Sequence, residues 1–109
     1  MRYSLQTGPS YNPRMVGAYE FDNLPGCSQV VVSHSMFLKP EERGKKLSEF
    51  LAAKRVFHAR DLGYDYMLCT VCSTNKAQIK IIERIGWERL ASFKSSKTEH
   101  DVIIFGRKI

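Results

Sequence analysis

The stretch "KPEERGKKLSEFL", residues 39–51, crowds Arg43, Lys45 and Lys46 around Gly44 just where a helical pattern begins. A helix N-terminus already carries partial positive charge, and each unneutralised cation there costs about 0.3 to 1 kcal/mol. Two arrangements resolve the conflict. With a helix starting at Pro40, Glu41 and Glu42 suit the dipole, and each meets a lysine four residues on. With a helix opening at Gly44, its free backbone N–H groups and the surrounding cations hold a phosphate. The local pattern supports both.

A second candidate is "YDYMLCTVC", where Cys69 and Cys72 have C-x-x-C spacing. The apolar run reads as a buried strand, and residues three apart on a strand point to opposite faces, so the two thiols do not share a metal ion. With Cys27 the thiols are odd in number and do not make a disulfide framework. His58 and His100 have no companions at metal-binding spacing, and no metal is expected.

The elements that must position these groups can be read from apolar periodicity. "RMVGAYEF" (14–21) and "SQVVVSHSMFL" (28–38) are rich in β-branched and aromatic residues and flank the turn signal "DNLPG", which predicts an antiparallel hairpin. From about Pro40 to Leu62 the pattern is helical, with Leu47, Phe50, Leu51, Phe57 and Leu62 near one side. "YDYMLCTVC" follows as a strand whose continuous apolarity suggests burial on both faces. "STNKAQIKIIERIGW" is a second helix carrying Ile79, Ile82 and Ile85, stopped by Gly86, and Trp87 should pack beneath it. "WERLASFK" and "HDVIIFGRKI" complete the chain as strands, the basic tail expected at a sheet edge. The order β-β-α-β-α-β-β implies an α/β (α+β) fold: a mixed sheet with one parallel pair bridged by a helix.

With 109 residues there is room for one domain, 1–109, and its 43% hydrophobic and 26% charged residues suit a globular chain. No apolar run approaches the roughly 20 residues of a membrane span, and no secretory signal is visible. A cytoplasmic protein without membrane contact is therefore expected. The net charge of +6 favours anionic partners, but the bases are dispersed, which disfavours nucleic acid.

Taken together, Pro40, Arg43, Gly44, Lys45 and Leu47 after one strand, and Asn75, Gly86 and Trp87 around the second helix, resemble the GNAT superfamily of acyl-CoA-dependent N-acetyltransferases. The resemblance spans about residues 28–109. It implies a GNAT-like mixed central sheet in which a bulged strand splays from its neighbour and admits the pantetheine of acetyl-CoA. By carry-over, Met36, Phe37 and Leu38 would face pantetheine, Arg43, Gly44, Lys45, Lys46, Leu47 and Ser48 would hold the pyrophosphate, and Asn75 would border the cofactor. The implied function is transfer of an acetyl group to an amine on a small molecule or protein. Compact relatives of this kind occur in bacteria and bacteriophages.

The chain also departs from the pattern. Lys46 stands where the family has its second glycine, adding bulk beside the phosphates while supplying a point charge. The position of the family's leaving-group acid, a tyrosine, is Ile82, and the central strand lacks the usual glutamate base. His34 is the titratable substitute for that base, an imidazole being able to accept an amine proton near neutral pH. Cys72 is the candidate acid or acyl-accepting thiol. The usual N-terminal strand and two helices are expected to be absent, so the acceptor enters through an open groove or against a wall supplied by a second subunit of a homodimer. The alternatives are a catalytically reduced module that binds a protein partner and, less favoured, a basic nucleic-acid-binding domain.

Overall fold

A computed structural model describes residues 1–9, 11–43, 47–97 and 99–109. The elements are β1 (Arg2–Thr7), β2 (Arg14–Asn23), β3 (Val30–Leu38), α1 (Leu47–Asp61), β4 (Tyr66–Cys72), α2 (Lys76–Arg84), β5 (Glu88–Lys94) and β6 (Asp101–Lys108). One six-stranded mixed sheet has the order β1-β2-β3-β4-β6-β5. The expected α+β order is found from Arg14 onward. One strand precedes that order and was not expected: Arg2–Thr7 pairs antiparallel with β2, burying Leu5 and half-burying Tyr3. Its alternation is short and runs directly into "TGPS", which masked it.

β2 and β3 form the expected antiparallel pair. β3 and β4 run parallel, joined by α1 as the crossover. α2 begins as its sequence suggests: Asn75 caps it, the side-chain oxygen accepting from the Gln78 N–H at 3.3 Å, and Gly86 ends it at φ 98°. Ile79 and Ile82 are buried beneath it with Trp87, while Ile85 is half-buried.

Three expectations change. The inner face of α1 is Leu51, Ala52, Arg55, Val56 and Ala59, whereas Phe50, Phe57 and Leu62 are at least half exposed. Fully buried Ala52 and Ala59 mark the stripe that meets the sheet, and the large apolar residues lie off it. On β4 burial alternates: Met67, Cys69 and Val71 are buried, Tyr66, Leu68 and Cys72 half-buried, and Thr70 exposed. α1 and α2 pack against each other on one side of the sheet, so only that face of the strand is covered. Finally, β6 lies between β4 and β5, so the C-terminal strand is interior and β5, exposed along its whole length, forms the edge. Arg107 serves the fold by donating to the Ile85 carbonyl.

Candidate active site between two diverging strands

β3 and β4 pair only at Val30 with Tyr66, Val31 with Met67 and Val32 with Leu68. Beyond that point each strand follows its outer neighbour alone. Ser33, His34, Phe37 and Leu38 pair with β2, and Cys69 to Cys72 with β6. Local chemistry explains the parting. Ser35 has φ 56°, a conformation that disfavours a side chain, and it sits where the β2–β3 register slips between Ala18 and Glu20. An extra residue in one strand bends it and increases its twist. Gly17 permits the bent strand to close on β2, since a Cβ there would stand 2.5 Å from the Phe37 carbonyl oxygen.

The divergence opens two recesses. A groove of about 420 Å³ runs from Phe37 and Leu38 to Arg43 and Ser48 before and within the start of α1, with Ile81 of α2 opposite. A cleft of about 210 Å³ lies between Ser33 and His34 on β3 and Cys69 and Cys72 on β4. Met36, Asn75 and Gln78 line both, making them continuous. Met36, Phe37, Leu38, Arg43, Ser48 and Asn75 are thus brought to one groove. Leu47 packs against the core instead. Gly44, Lys45 and Lys46 lie outside the described residues.

The basic turn does not form one helix from Pro40. Pro40–Glu42 is a single 3-10 turn, and Arg43 behind it is extended at φ −73°, ψ 152°. Glu42 is buried, only 3% exposed, and its carboxylate meets Arg14 Nη2 at 3.0 Å. Arg43 is exposed at the groove, and the described part of α1 begins at Leu47.

His34 lies on the sheet face opposite the helices and lines the cleft. Its Nε2 is 2.5 Å from Asp22 Oδ2 and its Nδ1 is 3.0 Å from Ser35 Oγ, with Glu20 Oε2 at 3.9 Å. The bond to His34 is the main cause holding the Asp22 carboxyl below its ordinary pKa. An ionised Asp22 accepts a hydrogen bond from Nε2–H, which leaves the Nδ1 lone pair toward Ser35. Cys72 Sγ is 3.1 Å from Thr74 Oγ1, and that bond draws the thiol pKa down. Cys69 is buried, and desolvation pushes its pKa up. Among the described residues no group of His, Cys, Asp or Glu could hold a metal ion, and no helix is long and apolar enough to cross a membrane.

Sequence reasoning missed Asp22, Glu20 and Ser35. The hairpin around "DNLPG" offered a signal for the two acids, because it sets β2 and β3 side by side and alternation then puts both carboxylates on one face. Their approach to His34 also depends on the bulge.

The profile of the acetyltransferase (GNAT) family matches residues 7–87, and the chain belongs to this family. No curated protein matches it by sequence. Among solved structures it is similar to the ribosomal-protein-S18-alanine N-acetyltransferase from Escherichia coli, with a TM-score of 0.81 and 15% identity over 100% of this chain and 68% of that one. It is also similar to yncA from Salmonella typhimurium, solved with its cofactor acetyl-CoA, with a TM-score of 0.76 and 20% identity over 87% of this chain and 58% of that one. A spermidine N-acetyltransferase chimera of Vibrio cholerae SpeG and hSSAT gives a TM-score of 0.81 at 14% identity, covering 96% and 65%. The chain spans less than two thirds of the length of several of the structures it resembles.

Proposed function

We propose that this protein transfers an acetyl group from acetyl-CoA to an amine. The observation that carries the reading is the parting of β3 and β4 after three residue pairs, which leaves the inner edge of β3 without a strand partner beside a groove that ends at Arg43 and Ser48. An extended pantetheine arm fits such an edge as an added strand does, through backbone hydrogen bonds. The anionic end of the cofactor then reaches Arg43 and the first turn of α1, where positive charge and free N–H groups favour phosphate. The residues present suit the cofactor.

The thioester lies where groove and cleft meet, at Met36 and Asn75. The amine approaches on the sheet face that no described helix covers. Its nitrogen attacks the thioester carbonyl, the C–N bond forms and the C–S bond breaks. The amine proton passes by way of the Ser35 hydroxyl or a water to His34 Nδ1, with Asp22 fixing the tautomer and stabilising the imidazolium. Cys72 supplies a proton to the departing CoA thiolate, since Ile82 at the family's acid position has none to give. Positioning of donor and amine supplies the largest share of the rate.

Isothermal calorimetry with acetyl-CoA tests the binding half. Saturable binding that Arg43→Glu weakens supports the reading, and no heat at millimolar cofactor overturns it. Consumption of acetyl-CoA with mixed amine acceptors tests the transfer half. Binding without consumption would favour a reduced module that recognises a protein partner.

A further inference from the structure

The cleft between Ser33 and Cys69 contains a buried cation that the transfer chemistry above leaves unused. Arg55 rises from the middle of α1 and is only 2% exposed. Its Nη1 donates to Ser33 Oγ at 3.2 Å, and its guanidinium lies over the Trp87 ring at 5.2 Å. Its Nε and Nη2 are buried without a hydrogen-bond partner. Cys69 stands beside the guanidinium within reach of a weak side-chain hydrogen bond, but burial raises the pKa of that thiol, so it offers no counter-charge. Among the described residues that line the cleft there is no carboxylate.

Burying a guanidinium without a counter-ion is among the costliest things a core can hold, and an apolar side chain of similar length would fill the same space without that cost. Arg55 is among the residues that line the cleft, which a thioester lying in the groove reaches first with its acyl end, because groove and cleft join at Met36, Asn75 and Gln78. We infer that the acyl group this protein prefers carries a terminal carboxylate, which pairs with Arg55 inside the cleft. The donor class is therefore a short dicarboxylic acyl thioester of CoA. This rests on the proposed binding of an acyl-CoA between β3 and β4. The bond changes are those already described: the amine displaces the thiolate at the carbonyl carbon, and the far carboxylate is a spectator held by the Arg55 guanidinium.

Calorimetric titration of the wild-type protein with succinyl-CoA, butyryl-CoA and acetyl-CoA tests it. Butyryl-CoA has the same chain length as succinyl-CoA without the charge. A charge-assisted pair inside the cleft should give succinyl-CoA about a tenfold to hundredfold tighter dissociation constant than butyryl-CoA. Arg55→Met should erase that preference while retaining acetyl-CoA binding. Equal affinity for the charged and neutral chains in the wild type, or a preference that survives Arg55→Met, overturns the assignment and leaves acetyl transfer standing. If none of the three thioesters binds, the cofactor reading fails as well. The wild-type comparison decides the matter even if the variant does not fold.

Discussion

Asp22 and His34 occupy diagonal positions on β2 and β3, and the carboxylate reaches across to within 2.5 Å of Nε2. The strand ladder pairs Asp22 with Val32 and His34 with Glu20, so the contact is made by side chains alone. It fixes the orientation of a lone strand histidine, whose other nitrogen faces Ser35.

If the imidazole takes the amine proton, His34→Gln should lower kcat about a hundredfold or more, with little change in KM for acetyl-CoA. Asp22→Asn should have a smaller effect in the same direction, because it disturbs the tautomer and leaves the base in place. Ser35→Ala separates the two proton routes. A loss comparable to that of His34→Gln assigns the relay to the hydroxyl, and near-normal turnover assigns it to water. Steady-state kinetics with saturating amine gives all three answers, and full activity in His34→Gln would remove the imidazole from the reaction.

The same pair makes stability depend on pH. Asp22 has a folded-state pKa below its ordinary value of 3.8, with the bond to His34 as the first cause. Its contribution is therefore complete above the unfolded value and is lost as pH falls through the lower folded one. Wild type and Asp22→Asn should differ in urea midpoint above about pH 5 and converge below about pH 3. A difference that grows on acidification would contradict this assignment.

Cysteine reactivity reports on the cleft directly. The bond to Thr74 lowers the Cys72 pKa, whereas burial raises that of Cys69, so iodoacetamide should modify Cys72 well before Cys69. Acyl-CoA in the opening should slow the reaction at Cys72, because that thiol lines the cleft. Mass spectrometry of the alkylated peptides, with and without cofactor, measures both effects. A Cys72 rate unaffected by a saturating cofactor would place the ligand elsewhere.

Gly17 tests the bent strand. A methyl group there meets the Phe37 carbonyl oxygen and the Leu38 side chain, both on the strand that borders the groove. Gly17→Ala should cost about 1 to 3 kcal/mol in denaturant unfolding and weaken cofactor binding, because β3 must move to admit the methyl. Asn75→Ala should cost about 1 kcal/mol by removing the cap of α2. Wild-type stability in Gly17→Ala would show that β3 shifts freely.

Much of this architecture can be read from single stretches. Paired β-branched runs around "DNLPG", the Asn75 cap and the Gly86 stop are local signals, and local signals survive into the fold. What could not be read depends on contacts between distant parts. The inner face of α1 is chosen by how closely Ala52 and Ala59 approach the sheet, not by where the phenylalanines fall. Arg55 looks from its neighbours like a solvent-facing base, and only the placement of Ser33 and Trp87 around it shows otherwise. The groove residues Met36 to Leu38 were found through family likeness, while the bulge at Ser35 that gives them their place has no glycine to announce it.

The three residue pairs between β3 and β4 form the whole strand-to-strand seam between two leaves, β1-β2-β3 and β4-β6-β5. A molecule wedged into the V beyond that seam would touch both leaves at once and act as a removable fourth course of the joint. Binding there would then also finish the architecture, and the empty form should breathe along the seam before it comes apart anywhere else.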